Sequence, residues 1–295
     1  MLPRDLRSRR LFLLYRYDRL YIYIIYYIRY IVNTQAQFSQ KRHRMNKNHK
    51  KNENTGETLM EIILVGACGK MGREVAANLR DGMHIAASVD IKSHFRDIYD
   101  YGGKADVIID FSSHSATERT LSFAVSKKIP CVIATTGQSE AEHAAIKKAA
   151  LVIPVFYSEN MSFGAAVLLE TARAAASLFP DAEIEITEKH HAAKADAPSG
   201  TALMLARELS RGGRIVCGRN GDGKRQRGDI GISSVRIGKI IGYHEVMISN
   251  GRETLVFSHD VHERSVFARG AVAAADFISQ KSRGLYGMYD MIHLG

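Results

Sequence analysis

The chain has 295 residues, of which 45% are hydrophobic and 24% are charged, with three cysteines and a formal net charge of +10. This ordinary globular composition allows two modest domains, and it excludes a chain that is disordered throughout, a collagen and a disulfide scaffold. Cys68, Cys131 and Cys217 are widely spaced and odd in number, so we expect reduced thiols in a cytoplasmic protein rather than disulfides or a cysteine zinc site.

The positive charge is concentrated before residue 60. Residues 1–59 contain 13 Lys and Arg against 4 Asp and Glu, whereas the remaining 236 residues contain 28 against 27. The body of the protein is therefore nearly neutral. The overall charge gives no reason to expect a nucleic-acid partner, because it describes a terminal segment.

Residues 1–59 differ from the rest in composition. The stretch 11–32 holds seven of the 13 tyrosines, but charged residues interrupt it on both sides of its apolar centre. It therefore lacks the roughly 20 apolar residues that a membrane span needs, and it does not have the form of a signal peptide. A polar, basic stretch follows and is expected to be disordered. We expect a disordered or non-native extension, with the natural start at Met60 or, less favoured, Met45; a basic anchor on a membrane surface is the alternative.

The sequence EIILVGACGKMGREVAANL, directly after Met60, predicts a strand, a glycine turn and a helix. Gly66 would permit the tight turn, and Gly69 would let the backbone approach a pyrophosphate at the N-terminus of the helix. The spacing is G-x-x-G-x-x-G, and a tight turn without any ligand is the alternative reading.

A second strand is predicted at 84–90 and ends in Asp90, about 20 residues after the glycines. An acid in this position can accept hydrogen bonds from the adenosine ribose hydroxyls and would repel a 2′-phosphate, which favours NADH. Lys70 and Lys92 lie close enough in sequence to weaken that repulsion, so NADPH remains open. The alternative is a solvated acid at the end of a strand.

Short apolar runs then alternate with helical stretches. Strands are predicted at 105–110, 130–134 and 151–155, and helices at 114–126 and 140–150. This alternation predicts a parallel sheet wound with right-handed crossovers, in which ligands lie at the carboxyl ends of the strands. Small polar residues follow the predicted strands at 111–113, 135–137 and 158–161.

The most informative stretch is KHHAAKADAPSGTALMLAREL, which follows an alternating strand at 183–188. Ser199 is a plausible helix cap, and Lys194 near a helix N-terminus suits a carboxylate. A histidine beside them, His190 or His191, can exchange a proton near neutral pH. The residues predict an acid–base site that holds an anionic substrate beside a dinucleotide. We expect no metal, because no further ligand has suitable local spacing.

The segment EKHHAAKADAPSGTA, with the glycine turn GACGKMG, closely resembles the 4-hydroxy-tetrahydrodipicolinate (dihydrodipicolinate) reductases of lysine and diaminopimelate biosynthesis. The resemblance runs from about Glu61 to the C-terminus. It implies an α/β fold in which a Rossmann dinucleotide-binding domain, 60–156 plus 263–295, carries an inserted α+β domain, 157–262, for substrate binding and oligomerisation. It also implies a homotetramer and a small dicarboxylate substrate.

The remaining elements agree with an inserted domain. A helix is predicted at 201–209, followed by a Gly/Arg-rich loop at 211–229. Strand-like runs near 232–237, 243–248 and 253–258 predict an antiparallel sheet. A helix at 265–280 would return to the first domain.

The resemblance implies that NADH or NADPH delivers a hydride to C4 of the unsaturated cyclic imine formed when the hydroxylated substrate loses water. It implies His190 as proton donor and acceptor and Lys194 as a second proton donor. The implied substrate residues are His191, Ser199, Gly200 and Thr201. The implied cofactor residues are Gly66, Ala67, Cys68, Gly69, Lys70 and Met71 in the glycine turn, and Asp90, Ala134, Thr135, Thr136, Ser158, Glu159, Asn160 and Met161 beyond it.

Three departures from the family bear on the cofactor. Ala134 stands where the family usually has glycine, the loop 91–104 is shorter than in many relatives, and Met161 stands where an aromatic residue is common. These put cofactor preference and affinity in doubt, but not the reaction. The alternatives are a catalytically dead dinucleotide-binding protein and a different Rossmann reductase, such as an aspartate dehydrogenase; the second has no reason to carry this signature.

Overall fold

A computed structural model of the chain describes residues 59–294. The expectations about the segment before residue 59 lie outside the described residues. In chain order the helices and strands are β1 (Met60–Val65), α1 (Lys70–Ala77), β2 (Met83–Val89), β3 (Val107–Asp110), α2 (Thr117–Lys127), β4 (Cys131–Ile133), α3 (Glu140–Ala150), β5 (Pro154–Tyr157), α4 (Phe163–Leu178), β6 (Glu183–His190), α5 (Gly200–Leu209), β7 (Ile215–Cys217), β8 (Ile230–Arg236), β9 (Gly242–Ser249), β10 (Thr254–Val261), α6 (Ser265–Ser279), β11 (Gly284–Tyr286) and α7 (Met288–Leu294).

The first sheet has six parallel strands in the order β11-β5-β4-β3-β1-β2. Its central strands are buried on both faces, as expected of apolar runs joined by helical crossovers. Helices α1 and α6 pack on one face, and α2 and α3 on the other. The predicted doubly wound, Rossmann-like arrangement is confirmed.

The second sheet has the order β10-β9-β6-β8-β7. Helices α4 and α5 cover one of its faces with small and aliphatic side chains. The prediction of an antiparallel sheet is only partly right. β9 pairs antiparallel with β10 and with β6, but β8 pairs parallel with β6, and β7 parallel with β8. The difference arises because β6 lies between β8 and β9, so these two consecutive strands never pair.

Several boundaries differ from the sequence prediction. The strand predicted at 151–155 is β5, which begins at Pro154; Leu151 and Val152 are 71% and 54% exposed beyond the end of α3. The predicted loop at 211–229 contains the short strand β7. No element was predicted over the range of α4, nor for β11 and α7.

The chain returns to the first sheet after β10. Helix α6 packs against β3, β4 and β5, and β11 adds a strand beside β5. The last helices and the last strand therefore complete the first sheet, so that the second sheet is inserted between β5 and α6. Among residues 59–294, no helix has both the length and the apolarity to cross a membrane.

Candidate active site

A cleft of about 510 Å³ lies at the carboxyl ends of β3, β4 and β5 and is closed on its far side by residues of the second sheet. Its lining therefore comes from both sheets and from the start of α6. The lining residues are Met71, Phe111, Ser112, Ser113, His114, Ala134, Thr135, Thr136, Glu159, Asn160, Met161, His190, Thr201, Gly242, His244, Val261, Arg264 and Phe267.

The glycine turn beside this cleft is closely packed. Gly66 has φ +79°, and a Cβ there would lie 2.6 Å from the carbonyl oxygen of Phe111. A Cβ on Gly72 would lie 2.3 Å from the carbonyl oxygen of Gly66. Gly69 stands at the N-terminus of α1, where none of the described side chains caps the helix. The first-turn amides of α1 can therefore face an anion.

Asp90 directly follows β2 and is tied to the glycine turn. Its carboxylate accepts hydrogen bonds from the backbone amides of Cys68 at 3.1 Å and Lys92 at 3.0 Å. The turn and the acid that the sequence placed about 20 residues apart are thus in direct contact.

A buried carboxylate organises the ends of β3 and β4. Asp110 is fully buried and accepts hydrogen bonds from the hydroxyls of Ser112 at 2.6 Å and Thr135 at 3.3 Å. Burial raises the pKa of Asp110. These contacts hold the segments after β3 and β4 side by side, where Ala134, Thr135 and Thr136 line the cleft.

The segment after β5 connects the two halves of the site. The side-chain amide of Asn160 donates to the hydroxyl of Thr201 at 2.9 Å. One terminal nitrogen of Arg207 in α5 lies 2.7 Å from each of the two carboxylate oxygens of Glu159. The hydroxyl of Ser158 donates to the carbonyl oxygen of Asn160 at 2.7 Å, which closes the turn. Residues predicted for cofactor and for substrate therefore touch each other here.

His190 is the last residue of β6 and is 8% exposed. Its Nδ1 lies 2.6 Å from a carboxylate oxygen of Glu188, which is completely buried. Arg236 of β8 holds the same carboxylate with both terminal nitrogens, at 2.9 Å and 2.7 Å. Burial lowers the pKa of His190, while Glu188 opposes that shift.

The start of α5 is joined to the same cluster. Ser199 caps the helix by accepting from the amide of Ala202 at 3.2 Å, and its hydroxyl lies 3.0 Å from Nε2 of His244. The amide of Ser199 donates to Glu188 at 3.1 Å. Burial lowers the pKa of His244 to about 3, so that its ring is neutral at physiological pH. The Ser199 hydroxyl is thus already used by the helix cap and by His244.

Lys194 lies in the loop between β6 and α5, where its Nζ is 2.8 Å from a carboxylate oxygen of Asp196. His190 and Thr201 line the cleft, whereas His191, Lys194, Ser199 and Gly200 are not among its lining residues. Of the predicted cofactor residues, the turn 66–70, Asp90 and Ser158 also lie outside the lining. Within residues 59–294, no three potential metal ligands stand together.

Sequence reasoning missed the side chains that later segments bring to the site. Gly242, His244, Arg264 and Phe267 line the cleft, and Glu188 and Arg236 lie behind His190. The alternation EIEITE did contain one signal, because Glu188 falls on the face of β6 that Ile184 and Ile186 bury. A charged residue on a buried face needs a partner, which the sequence alone could not name.

Comparison with known proteins identifies the family. Residues 60–161 match the family model described as dihydrodipicolinate reductase, N-terminus, and residues 164–292 match dihydrodipicolinate reductase, C-terminus. The 4-hydroxy-tetrahydrodipicolinate reductase of Caldanaerobacter subterraneus subsp. tengcongensis is 39% identical over 250 residues, covering 80% of this chain and all of the relative. The chain belongs to the dihydrodipicolinate reductase family. It is therefore an oxidoreductase with a Rossmann-type sheet.

A second sequence relative and one solved structure are also similar to this chain. The 4-hydroxy-tetrahydrodipicolinate reductase of Clostridium novyi is 36% identical over 248 residues, covering 79% of this chain and 98% of the relative. Among solved structures, the dipicolinate-bound dihydrodipicolinate reductase from Paenisporosarcina sp. TG-14 superimposes with a TM-score of 0.63 at 21% identity, over 78% of this chain and 97% of that one. That structure supports the fold, and the sequence relatives establish the family.

Proposed function

We propose that this chain reduces 4-hydroxy-tetrahydrodipicolinate, by way of dihydrodipicolinate, to tetrahydrodipicolinate in lysine and diaminopimelate biosynthesis, with NADH or NADPH as reductant. The observation that carries the proposal is the composition of the cleft. It joins Met71 of α1 and Thr136, which follows β4, to His190 and Thr201 of the histidine-rich signature. This shared lining supports a site where cofactor and substrate groups meet.

The residues present fit a dinucleotide. The turn at Gly66 brings backbone so close that a Cβ would not fit, and the uncapped N-terminus of α1 offers free amides to a pyrophosphate. When bound, a reduced nicotinamide supplies the hydride. The residues that would hold the cofactor are Gly66, Ala67, Cys68, Gly69, Lys70, Met71, Asp90, Ala134, Thr135, Thr136, Ser158, Glu159, Asn160 and Met161.

The protein supplies the proton that balances the hydride. Because Nδ1 of His190 is occupied by Glu188, proton exchange with the substrate takes place at Nε2. A Cβ on Gly242 would lie 3.2 Å from that nitrogen, so the glycine keeps the space beside Nε2 open. Lys194 is proposed as the second proton donor, with its ammonium positioned by Asp196.

The start of α5 is proposed to hold a substrate carboxylate. Gly200 and Thr201 form its first turn, where backbone amides and the helix dipole favour an anion. Lys194 and His191 lie on the preceding loop and add charge and hydrogen-bond donors. Ser199 orders this turn through its capping bond to Ala202.

The direct test is a coupled assay on the purified chain. A synthase forms the substrate in place from pyruvate and aspartate semialdehyde, and the absorbance of NADH or NADPH is followed in separate reactions. Substrate-dependent oxidation is the expected result. A folded protein that binds NADH but oxidises none would instead be a non-catalytic dinucleotide-binding protein, and the proposal would be wrong.

Gly66→Ala tests the dinucleotide turn. Alanine at this position must adopt a left-handed backbone conformation, and its Cβ clashes with neighbouring backbone atoms. We therefore expect the free energy of unfolding to fall by roughly 2 kcal/mol or more. The Kd for NADH, measured by fluorescence titration, should rise about tenfold or more. Gly82→Ala is the matched control, because Gly82 has φ +82° but nothing within 4 Å of its Cβ position. Equal effects of the two variants on NADH binding would remove Gly66 from the cofactor site.

Asp90 is proposed to favour NADH over NADPH. Its carboxylate is fixed beside the glycine turn and would repel a 2′-phosphate, so Asp90→Asn should lower the NADH-to-NADPH ratio of kcat/KM by about tenfold. Asparagine retains an acceptor oxygen for the amide of Cys68, while its NH2 group cannot accept from the amide of Lys92. Asp81→Asn, an exposed change before β2, is the control and should leave the ratio unchanged. An unaltered ratio in Asp90→Asn would show that this acid does not select the cofactor.

We also propose the domain bounds 60–156 plus 263–295 and 157–262, a cytoplasmic location, and a homotetramer assembled through the second sheet, without a nucleic-acid or membrane partner. The face of that sheet opposite α4 and α5 carries Val235 and Val256, which are 39% and 55% exposed. Exposed apolar side chains on this face support an interface between copies of the chain.

A further inference from the structure

Glu188 is a completely buried carboxylate that the proposed chemistry does not use directly. It accepts hydrogen bonds from Arg236, from the backbone amide of Ser199 and from Nδ1 of His190. These groups belong to β8, to the N-terminus of α5 and to the end of β6. One side chain therefore connects the three elements that surround His190.

The pairing with Arg236 keeps this carboxylate ionised. Burial by itself would raise the pKa of Glu188, but the hydrogen bonds from Arg236, Ser234, His190 and the Ser199 amide outweigh it and lower the pKa to about 2. An ionised carboxylate accepts hydrogen bonds and donates none. Nδ1 of His190 must therefore carry a proton, and the tautomer of the neutral ring is settled.

The ring is also fixed in orientation. The Nδ1 to Glu188 distance of 2.6 Å is typical of a strong, charge-assisted hydrogen bond. On the opposite side, the ring of His244 meets His190 edge-on, with ring centroids 5.2 Å apart. Nε2 is left as the one ring atom that can accept or release a proton, and it faces Gly242.

We propose that Glu188 is the positioning residue of His190, with Arg236 as the counter-ion that holds Glu188 charged and in place. In this arrangement Glu188 restricts proton exchange to Nε2, and it stabilises the imidazolium form when His190 is protonated. The role resembles that of the acid in acid–histidine pairs of other enzymes. The catalytic part of this inference rests on the proposed function, while the tautomer and the charge balance do not.

The charged and titratable groups around His190 determine the direction in which each substitution should shift the pKa of His190. Glu188 from β6 raises the pKa of His190, whereas Arg236 from β8 and Lys194 from the following loop lower it. His244 from β9 is neutral at physiological pH and adds no charge there. Removing the negative charge and removing the arginine should therefore move the titration of His190 in opposite directions.

The experiment is an NMR titration of the His190 imidazole in the full chain, with Glu188→Gln and Arg236→Gln compared with wild type. We expect the pKa of His190 to fall in Glu188→Gln and to rise in Arg236→Gln. We expect ¹⁵N shifts of the wild type to show the Nδ1-protonated tautomer, and we expect that tautomer to be lost or mixed in Glu188→Gln. In the coupled assay, kcat of Glu188→Gln should fall about 10²-fold, with its pH profile displaced in the same direction as the titration.

Glu185→Gln is the matched control. Glu185 lies on the same strand and is also paired with arginines, Arg219 and Arg225, but on the opposite face of the sheet. It should leave the His190 titration unchanged. If Glu185→Gln shifted the pKa of His190 as much as Glu188→Gln does, the shift would reflect a general loosening of the sheet. Such a result would overturn the inference.

The outcomes remain separable from those of the proposed function. An unmoved His190 titration in Glu188→Gln overturns the inference even when the wild type is a fully active reductase. An inactive wild type contradicts the proposed function, and the titration still decides the positioning role. Should Glu188→Gln fail to fold, the ¹⁵N shifts of Arg236→Gln decide: a lost or mixed Nδ1-protonated tautomer of His190 supports the inference, and an unchanged tautomer overturns it.

Discussion

Lys194→Ala is expected to lower kcat about 10³-fold while the Kd for NADH stays unchanged, because alanine removes both the proposed proton donor and a positive charge from the proposed substrate side of the site. Lys194 lies between β6 and α5, on the part of the chain that belongs to the second sheet. The glycine turn and Asp90 belong to the first sheet instead. The loss should therefore appear in turnover rather than in cofactor binding.

The measurement combines steady-state kinetics with NADH titration by fluorescence. Lys147→Ala is the control, since it removes an exposed lysine from the surface of α3 and should leave both constants unchanged. An unchanged kcat in Lys194→Ala would exclude Lys194 from the chemistry. A weakened affinity for NADH with normal turnover at saturation would reassign it to the cofactor.

The first sheet could be predicted because its signals are local. Each of its central strands is a short apolar run, each run is followed by a helix, and the glycine turn comes where the first strand ends. The contact between Asp90 and Cys68 agrees with a spacing rule that depends on one crossover only. Even here the edge strand β11 escaped prediction, because it is short and comes from the far end of the chain.

For the second sheet, local sequence patterns predict the strands but not their pairing. Periodicity located β6, β8, β9 and β10, but not the order in which they pair. Nothing local to β8 indicates that it pairs parallel with β6 while β9 takes the other side. Helix α4 was missed for another reason. It is rich in alanine, and alanine provides little contrast between a buried and an exposed face.

The candidate site also has one part that local sequence predicts and one part that it does not. The signature from His190 to Thr201 is contiguous, so the order of residues along the chain is enough to group them. The ion pair between Glu188 and Arg236 joins residues 48 positions apart, and only the parallel pairing of β6 with β8 brings them together. Long-range pairing of buried charges is therefore the part of the site that sequence reasoning could not reach.

His190→Ala is expected to lower kcat about 10²-fold or more, the usual contribution of a positioned acid–base group. The pKa of His190 determines the direction in which kcat should change with pH. Burial lowers the pKa of His190 below that of an ordinary histidine, and the pairing with Glu188 limits the shift. As the proposed proton donor, His190 must be protonated to act, so the kcat of the wild type should decline as pH rises through this lowered pKa.

The alanine variant should lose that decline together with most of its rate, because the neighbouring histidine cannot replace Nε2. His244 also lines the cleft, but its pKa of about 3 leaves it without a transferable proton over the working range. His262→Ala, an exposed change after β10, is the control and should retain both the rate and the profile. A His190→Ala enzyme with normal kcat and a raised KM would make His190 a substrate-binding residue, and proton transfer would then have to be assigned to Lys194 alone.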